Sequence, residues 1–102
     1  MDQDKGWPFD QAQNVATIIS RQVLNRSLPI LHVTHYEDDH SWSFLHGSED
    51  YDVDLRLVCM AEILGVDETI REIADLPPGW SAWREAIASD WIREPTPPEA
   101  EP

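Results

Sequence analysis

The clearest alternation of apolar and polar positions lies in two short segments that predict a β-hairpin. Residues 30–36 and 41–45 are rich in β-branched and aromatic side chains, and the acidic residues between them suit a turn. Closing this turn pairs Val33 with Phe44 and His35 with Trp42. One face of the hairpin is then apolar and aromatic, with Leu31, Val33, His35, Trp42, Phe44 and His46. The opposite face carries His32, Thr34, Tyr36, Ser41 and Ser43.

The segment before the hairpin has two interpretations. Residues 15–19 are rich in β-branched side chains, which favours a strand. Apolar residues also recur there at helical spacing, at Ala12, Val15, Ala16, Ile19 and Val23. We favour the strand, followed by a helical turn that Ser20 caps and that ends before Pro29.

Two helices are predicted after the hairpin. The first spans residues 54–64 and is apolar around most of its circumference, with Asp52 or Asp54 as its N-cap and Gly65 just beyond its end. Cys59 would pack in its middle as a small core residue.

Asp67 is predicted to cap the second helix, from residue 68 to about residue 75, which ends at two prolines. Its inward residues would be Ile70, Ile73 and Ala74. Three tryptophans are expected to cover the core, with their indole N–H groups bonded to carbonyls: Trp80, Trp83 and Trp91. Trp83 follows Trp80 at helical spacing. Arg84 is expected to stack on an aromatic ring or to pair with an acid.

These elements predict an α+β fold, in which a small antiparallel sheet with a Trp-containing hairpin packs against two or three helices. The length of 102 residues suits one domain, which we place at residues 9–93. Residues 1–8 are predicted to be a flexible N-terminus. Residues 94–102 contain four prolines and three glutamates without a large apolar side chain, which predicts a disordered tail.

The charge of the chain excludes several classes of partner. Twenty acidic residues against seven basic ones give a net charge of −13, which opposes binding to nucleic acid and to anionic membranes. No apolar run approaches the ~18 residues of a membrane span, and the acidic N-terminus does not resemble a signal peptide. With a single cysteine, the composition fits a cytoplasmic protein.

Candidate catalytic and metal-binding residues do not combine into a site. His32 and His35 face opposite sides of one strand, and His46 lies roughly 13 Å from His35 along the hairpin. Cys59 is surrounded by apolar residues, and the chain has too few glycines for a phosphate-binding loop. We therefore predict no catalytic residue, no metal site and no cofactor, and a protein that is not an enzyme.

Two acidic runs, residues 37–39 and residues 49–54, form the candidate binding surface, and the second run contains the aromatic Tyr51. An aromatic side chain ringed by acids suits a basic protein partner, because charge steers the encounter and the ring supplies desolvated contact area. The predicted binding residues are Glu37, Asp38, Asp39, Glu49, Asp50, Tyr51, Asp52 and Asp54.

Several motifs resemble a small bacterial family of unknown function that is grouped with predicted immunity proteins of polymorphic toxin systems. They are Thr17-(x)2-Ser20-Arg21-x-Val23, Pro29-Ile30-(x)2-Val33-(x)2-Tyr36, Ser41-Trp42-x-Phe44-(x)2-Gly47-x-Glu49 and Asp75-Leu76-Pro77-Pro78-Gly79-Trp80-x-Ala82-Trp83-Arg84, with Trp91 as the last position. The resemblance implies an α+β domain that inhibits a cognate toxin by occluding it. We expect this toxin to be basic. The alternative is a small accessory domain that homodimerises through its hairpin or its Trp-rich face.

Overall fold

A computed structural model describes residues 7–47 and 54–96. The strands are β1 (Ala16–Ser20), β2 (His32–His35), β3 (Trp42–Leu45), β4 (Leu55–Cys59), β5 (Trp80–Trp83) and β6 (Ile92–Pro95). The helices are α1 (Arg21–Leu24), α2 (Met60–Val66) and a 3-10 helix at Glu68–Ile73. Within these two ranges no helix is long and apolar enough to cross a membrane.

The strands form one six-stranded sheet in the order β4-β1-β3-β2-β5-β6. The pair β1–β3 is parallel, whereas the other neighbouring strands are antiparallel. An α+β class fits this sheet-rich arrangement. The predicted small antiparallel sheet is wrong in both respects, since the sheet is mixed and includes β4, β5 and β6.

The hairpin prediction is confirmed in its strands and its register. Val33 pairs with Phe44 and His35 pairs with Trp42, and all four side chains are buried. Both outer sides of the hairpin are occupied, because β1 lies beside β3 and β5 lies beside β2. The hairpin therefore forms the centre of the sheet.

The strand interpretation of residues 15–19 is also confirmed. β1 is followed at once by α1, whose first turn is capped by the Ser20 hydroxyl accepting from the Val23 N–H at 3.2 Å. The fully buried Ile19 and Val23 join the core, which explains why their spacing also fits a helix.

The helix predicted over residues 54–64 is wrong in its first half. Each residue of β4 pairs with a residue of β1, and the helix begins only at Met60 and continues through Gly65 to Val66. A short apolar run fits a strand as well as a helix. Here the hydrogen-bonded pairing with β1 makes residues 55–59 a strand. Asp54 therefore precedes a strand, and Cys59 lies half-buried at the start of α2.

The two faces of the sheet differ. The face that we call the covered face packs its strand residues against Met60 and Ile63 of α2 and against Ile70 and Ile73 of the 3-10 helix. Its strand residues are Ile19, Val33, Trp42, Phe44 and Ala82. The opposite, open face carries the exposed Leu55, Leu57 and Ile92, and between them the buried small polar residues Thr34, Ser43 and Ser81.

The second helix is confirmed in its cap and its buried face. The Asp67 carboxylate accepts from the Thr69 N–H at 3.0 Å, and Ile70, Ile73 and Ala74 are buried. The helix is a 3-10 helix that ends at Ile73.

The helical spacing assigned to Trp80 and Trp83 is wrong, because both lie in β5. Trp83 pairs with Ile92 of β6, and this pairing places its side chain on the open face. Trp91 packs against the core with its buried indole nitrogen unpaired. The expected carbonyl partner for that indole is therefore wrong.

Described residues on both sides of the segment 9–93 also make contacts. The Trp7 indole N–H donates to the Gln11 carbonyl at 2.8 Å, although residues 1–8 were predicted to be flexible. Glu94 and Pro95, assigned to the tail, belong to β6, and the Thr96 N–H donates to the Gly79 carbonyl.

Candidate functional site

The predicted acids Glu37, Asp38 and Asp39 form the exposed turn between β2 and β3. The turn is closed by the Tyr36 N–H, which donates to the Ser41 carbonyl at 2.8 Å. Within it, the Ser41 N–H donates to Asp39 Oδ1 at 3.0 Å. The three carboxylates are therefore presented on a hydrogen-bonded turn at the tip of the two central strands.

Gln11 fastens this turn to the N-terminal segment. Its side-chain N–H donates to the His40 carbonyl at 2.9 Å, and its Oε1 accepts from the Trp42 indole at 2.7 Å. Asp10, which precedes Gln11 in the chain, is exposed and adds a fourth carboxylate to the segment that Gln11 joins to the turn. We call Asp10, Glu37, Asp38 and Asp39 the acidic end of the sheet.

Local hydrogen bonds favour the ionised form of Asp39 at the acidic end. Hydrogen bonds from the Ser41 hydroxyl and amide lower the pKa of Asp39 below its ordinary value of 3.8. No ion pair joins these carboxylates to an arginine of residues 7–47 or 54–96.

The described arginines are engaged elsewhere. Ion pairs hold Arg21, Arg56, Arg71, Arg84 and Arg93. Arg26 donates to the Gly65 carbonyl at 2.7 Å. Within residues 7–47 and 54–96, no arginine therefore offsets the charge of the acidic end.

Asp54 does not belong to the acidic end. It precedes Leu55, which pairs with Ser20 at the far end of β1, whereas the acidic turn lies at the Ala16 end, about 13 Å away along the strand. Two hydrogen bonds of 2.8 Å from the Arg56 guanidinium neutralise it and lower its pKa. Arg21 adds a contact of 3.3 Å.

The other predicted binding residues, Glu49, Asp50, Tyr51 and Asp52, lie outside the described residues. Their role as a binding surface stays a prediction. The structure thus brings together the turn acids of the predicted set and separates Asp54 from them.

The histidines take different environments. His35 is buried on the covered face, stacked on Trp42 with ring centroids 4.0 Å apart, and its Nδ1 lies 2.7 Å from the Leu76 carbonyl. His32 lies half-buried on the opposite face. Residues 7–47 and 54–96 contain no group of three metal-ligating side chains.

Sequence reasoning missed two features of this site. Asp10 precedes Gln11, which contacts the His40 carbonyl and the Trp42 indole, 29 and 31 positions away in the chain, and the sequence carries no local signal for these contacts. The half-buried Trp7 lies in the same segment, with its ring centroid 5.5 Å from that of Phe9. The partly exposed Trp7 ring is therefore joined to the acidic turn through Gln11.

Comparisons of this chain with protein-family models, with curated proteins and with solved structures gave no match.

Proposed function

We propose that the protein is a non-enzymatic binding domain whose acidic end docks against a basic surface of another protein. The observation that carries the proposal is the turn of three exposed carboxylates, held in place by hydrogen bonds and unpaired with any described arginine. Such a preorganised patch attracts a basic partner over a distance and loses little conformational freedom on binding.

The aromatic Trp7 supports the same surface. Acids alone mainly accelerate the encounter, whereas lasting complexes need an anchor that loses its water. The Trp7 indole is bonded to the carbonyl of Gln11, the residue whose side chain joins the acidic turn. In this proposal Trp7 is the aromatic anchor, a role for which the sequence analysis had suggested Tyr51.

In its most specific form, the proposal makes this protein an immunity protein that neutralises a cognate toxin by occluding it. The support for this form is the resemblance of the motifs together with the net charge of −13, which suits a basic toxin. The partner, expressed alone, should then arrest the growth of host cells, and co-expression of this protein should restore it.

The test compares wild type with two triple variants that lose the same charge. The first, Glu37→Gln with Asp38→Asn and Asp39→Asn, neutralises the turn. The matched control, Glu72→Gln with Glu85→Gln and Asp90→Asn, neutralises exposed acids elsewhere. Each protein is immobilised and exposed to a lysate of the source cells, and the captured proteins are identified and compared.

A basic protein captured by wild type and by the control, but recovered about tenfold less by the turn variant, is the expected result. Equal recovery by the two triple variants would contradict the proposed site. Recovery of the same partner only in the presence of a small-molecule substrate would contradict the non-enzymatic role.

A further inference from the structure

The two edges of the sheet are built differently. β6, at one edge, contains Arg93, Glu94 and Pro95, and both charges and proline protect an edge strand from pairing. β4, at the other edge, reads Leu55-Arg56-Leu57-Val58-Cys59 and has no proline. β4 is therefore the edge that is able to accept another strand.

The hydrogen bonds to β1 determine which backbone groups of β4 point outward. The Asp54 carbonyl accepts from the Arg21 N–H, and the Met60 N–H donates to the Val15 carbonyl, each at 2.8 Å. In an antiparallel ladder, bonded residues alternate, so Arg56 and Val58 also face β1. The N–H and carbonyl groups of Leu55, Leu57 and Cys59 consequently point away from the sheet.

The outward-pointing residues are also apolar and exposed. The exposed fraction is 72% for Leu57 and 49% for Leu55, and both side chains lie on the open face. At the end of the strand, the Cys59 N–H has a long contact of 3.4 Å with Glu62 Oε2. Exposed apolar side chains beside unpaired backbone groups are the mark of a strand-pairing edge.

We propose that β4 pairs antiparallel with β4 of a second copy of this chain. The outward residues are symmetric about Leu57, so two copies of Leu57 face each other across a two-fold axis and exchange both hydrogen bonds. Leu55 then faces Cys59 of the second copy. The pairing joins the two six-stranded sheets into one continuous sheet. The Leu57 side chains of the two copies then bury each other.

The charges at this edge favour a second copy as the occupant. Among the described residues around β4, Arg21 and Arg56 balance Asp54 and Glu62, whereas the acidic end carries carboxylates alone. Antiparallel pairing also puts the acidic end of one copy and the arginine-bearing end of the other on the same side of the joined sheet, with β1 between β4 and the strands of the acidic turn. Among the described residues, β4 therefore lies where opposite charges balance, which lowers the repulsion between two chains of net charge −13.

The first test compares self-association of wild type with two charge-matched variants by sedimentation equilibrium. Leu57→Lys places a charge at the pairing edge, and Ile92→Lys places the same charge on the same face at the opposite edge. We expect wild type to move from 11.7 kDa towards twice that mass as its concentration rises. Leu57→Lys should weaken the dimer at least about tenfold, with Ile92→Lys unchanged.

The second test reads the register directly by disulfide formation in a Cys59→Ser background. Opposed residues of a bonded antiparallel pair have Cα atoms about 5.5 Å apart, which is within disulfide range. Leu57→Cys should therefore cross-link on mild oxidation. Leu55→Cys should not, because the two copies of residue 55 would lie roughly 13 Å apart.

Three results would overturn the proposal: a monomer at every concentration up to about 1 mM, a Leu57→Lys variant that dimerises like wild type, or cross-linking of Leu55→Cys as fast as that of Leu57→Cys. Circular dichroism of each variant separates loss of pairing from loss of folding. None of these readouts involves the basic partner, so the inference stands or falls independently of the proposed function.

Discussion

Arg84 is the charge that the fold surrounds most completely. Its guanidinium, fully buried, lies 2.7 Å from the Asp67 carboxylate, and it also donates to the Ile30 carbonyl at 2.9 Å. Its guanidinium carbon Cζ lies 4.2 Å from the centroid of the Trp91 ring. The sequence predicted a ring or an acid as its partner, and the structure supplies both, because Asp67 caps the 3-10 helix against the end of β5.

Replacing Arg84 by methionine should destabilise the protein by about 3–5 kcal/mol, because Asp67 and the Ile30 carbonyl would lose their buried partner. The free energy of unfolding in urea measures this. The control Arg56→Met removes an arginine that is half exposed and should cause a much smaller loss. Equal losses in the two variants would contradict the role assigned to Arg84.

The pKa of Asp39 offers a second test at this scale. Ser41→Ala removes the hydroxyl that is the largest cause of the lowered pKa, so the pKa of Asp39 should rise towards 3.8. NMR titration of the side-chain carboxyl carbon measures it, with Asp75, held low by Arg93, as the internal control. An unchanged pKa of Asp39 would show that this hydrogen bond is absent in solution.

The sign of the pH dependence follows from these directions. Asp39, Asp54 and Asp75 all have lowered pKa values in the folded protein, so their ionised forms contribute stability above the ordinary value of 3.8. This contribution is lost as the pH falls below 3.8 through the folded values. Stability measured from pH 7 to pH 2 should therefore decline mainly on the acid side of pH 4.

At the scale of elements, β4 and α2 show what local pattern does and does not determine. Residues 55–66 contain one apolar run in which a strand joins a helix directly, with Cys59 and Met60 at the junction. The exposed Leu57 and the buried Ile63 look alike in sequence. Their difference arises from the pairing of β4 with β1, which lies about forty residues earlier in the chain.

The hairpin shows the opposite case. Its register follows from the turn and from the alternation of side chains, both of which are local, so it was predictable down to the pair His35–Trp42. Its position at the centre of the sheet depends on β1 and β5 and was not predictable. The same holds for the site, where the turn acids were predictable and the link to Gln11 was not.

Two glycines should respond in opposite ways to alanine. Gly65 lies within α2, where an added Cβ meets nothing within 4 Å, so Gly65→Ala should raise the free energy of unfolding by about 0.5–1 kcal/mol. Gly79 has a φ of +86° and an added Cβ there would lie 3.4 Å from Glu37 Oε1, so Gly79→Ala should lower it. Thermal unfolding of both variants measures these changes. The Gly65→Ala result also tests whether Gly65 lies inside α2 and not, as predicted from the sequence, beyond its end.

At the scale of the whole molecule, charge is divided along the strands. The carboxylates of the acidic end lie beyond the tips of β2 and β3, whereas Arg21 and Arg56 lie at the other end of the sheet beside Asp54. Among the described residues, carboxylates are thus in surplus at one end of the sheet, whereas arginines and acids balance at the other. The proposed surface for a basic partner lies at the end with surplus carboxylates. The proposed self-pairing edge, β4, begins at the end where arginines and acids balance.

Salt should therefore act in opposite directions on the two associations. Ionic screening weakens attraction between the acidic end and a basic partner, but it also weakens repulsion between two copies of an acidic chain. We expect the fraction of dimer to rise between about 0.05 M and 0.5 M salt, as measured by sedimentation equilibrium. A dimer that dissociates over this range would contradict pairing at a locally balanced edge.

Association kinetics test most directly whether the acidic end binds a basic protein. The rate constant for binding of the purified partner is measured against salt concentration for wild type, for the turn variant and for the control variant. Neutralising Glu37, Asp38 and Asp39 should slow association at low salt by about tenfold and flatten its salt dependence, whereas the matched control should keep a slope close to that of wild type. Identical rates and slopes for the two variants would contradict binding of a basic protein at the acidic end.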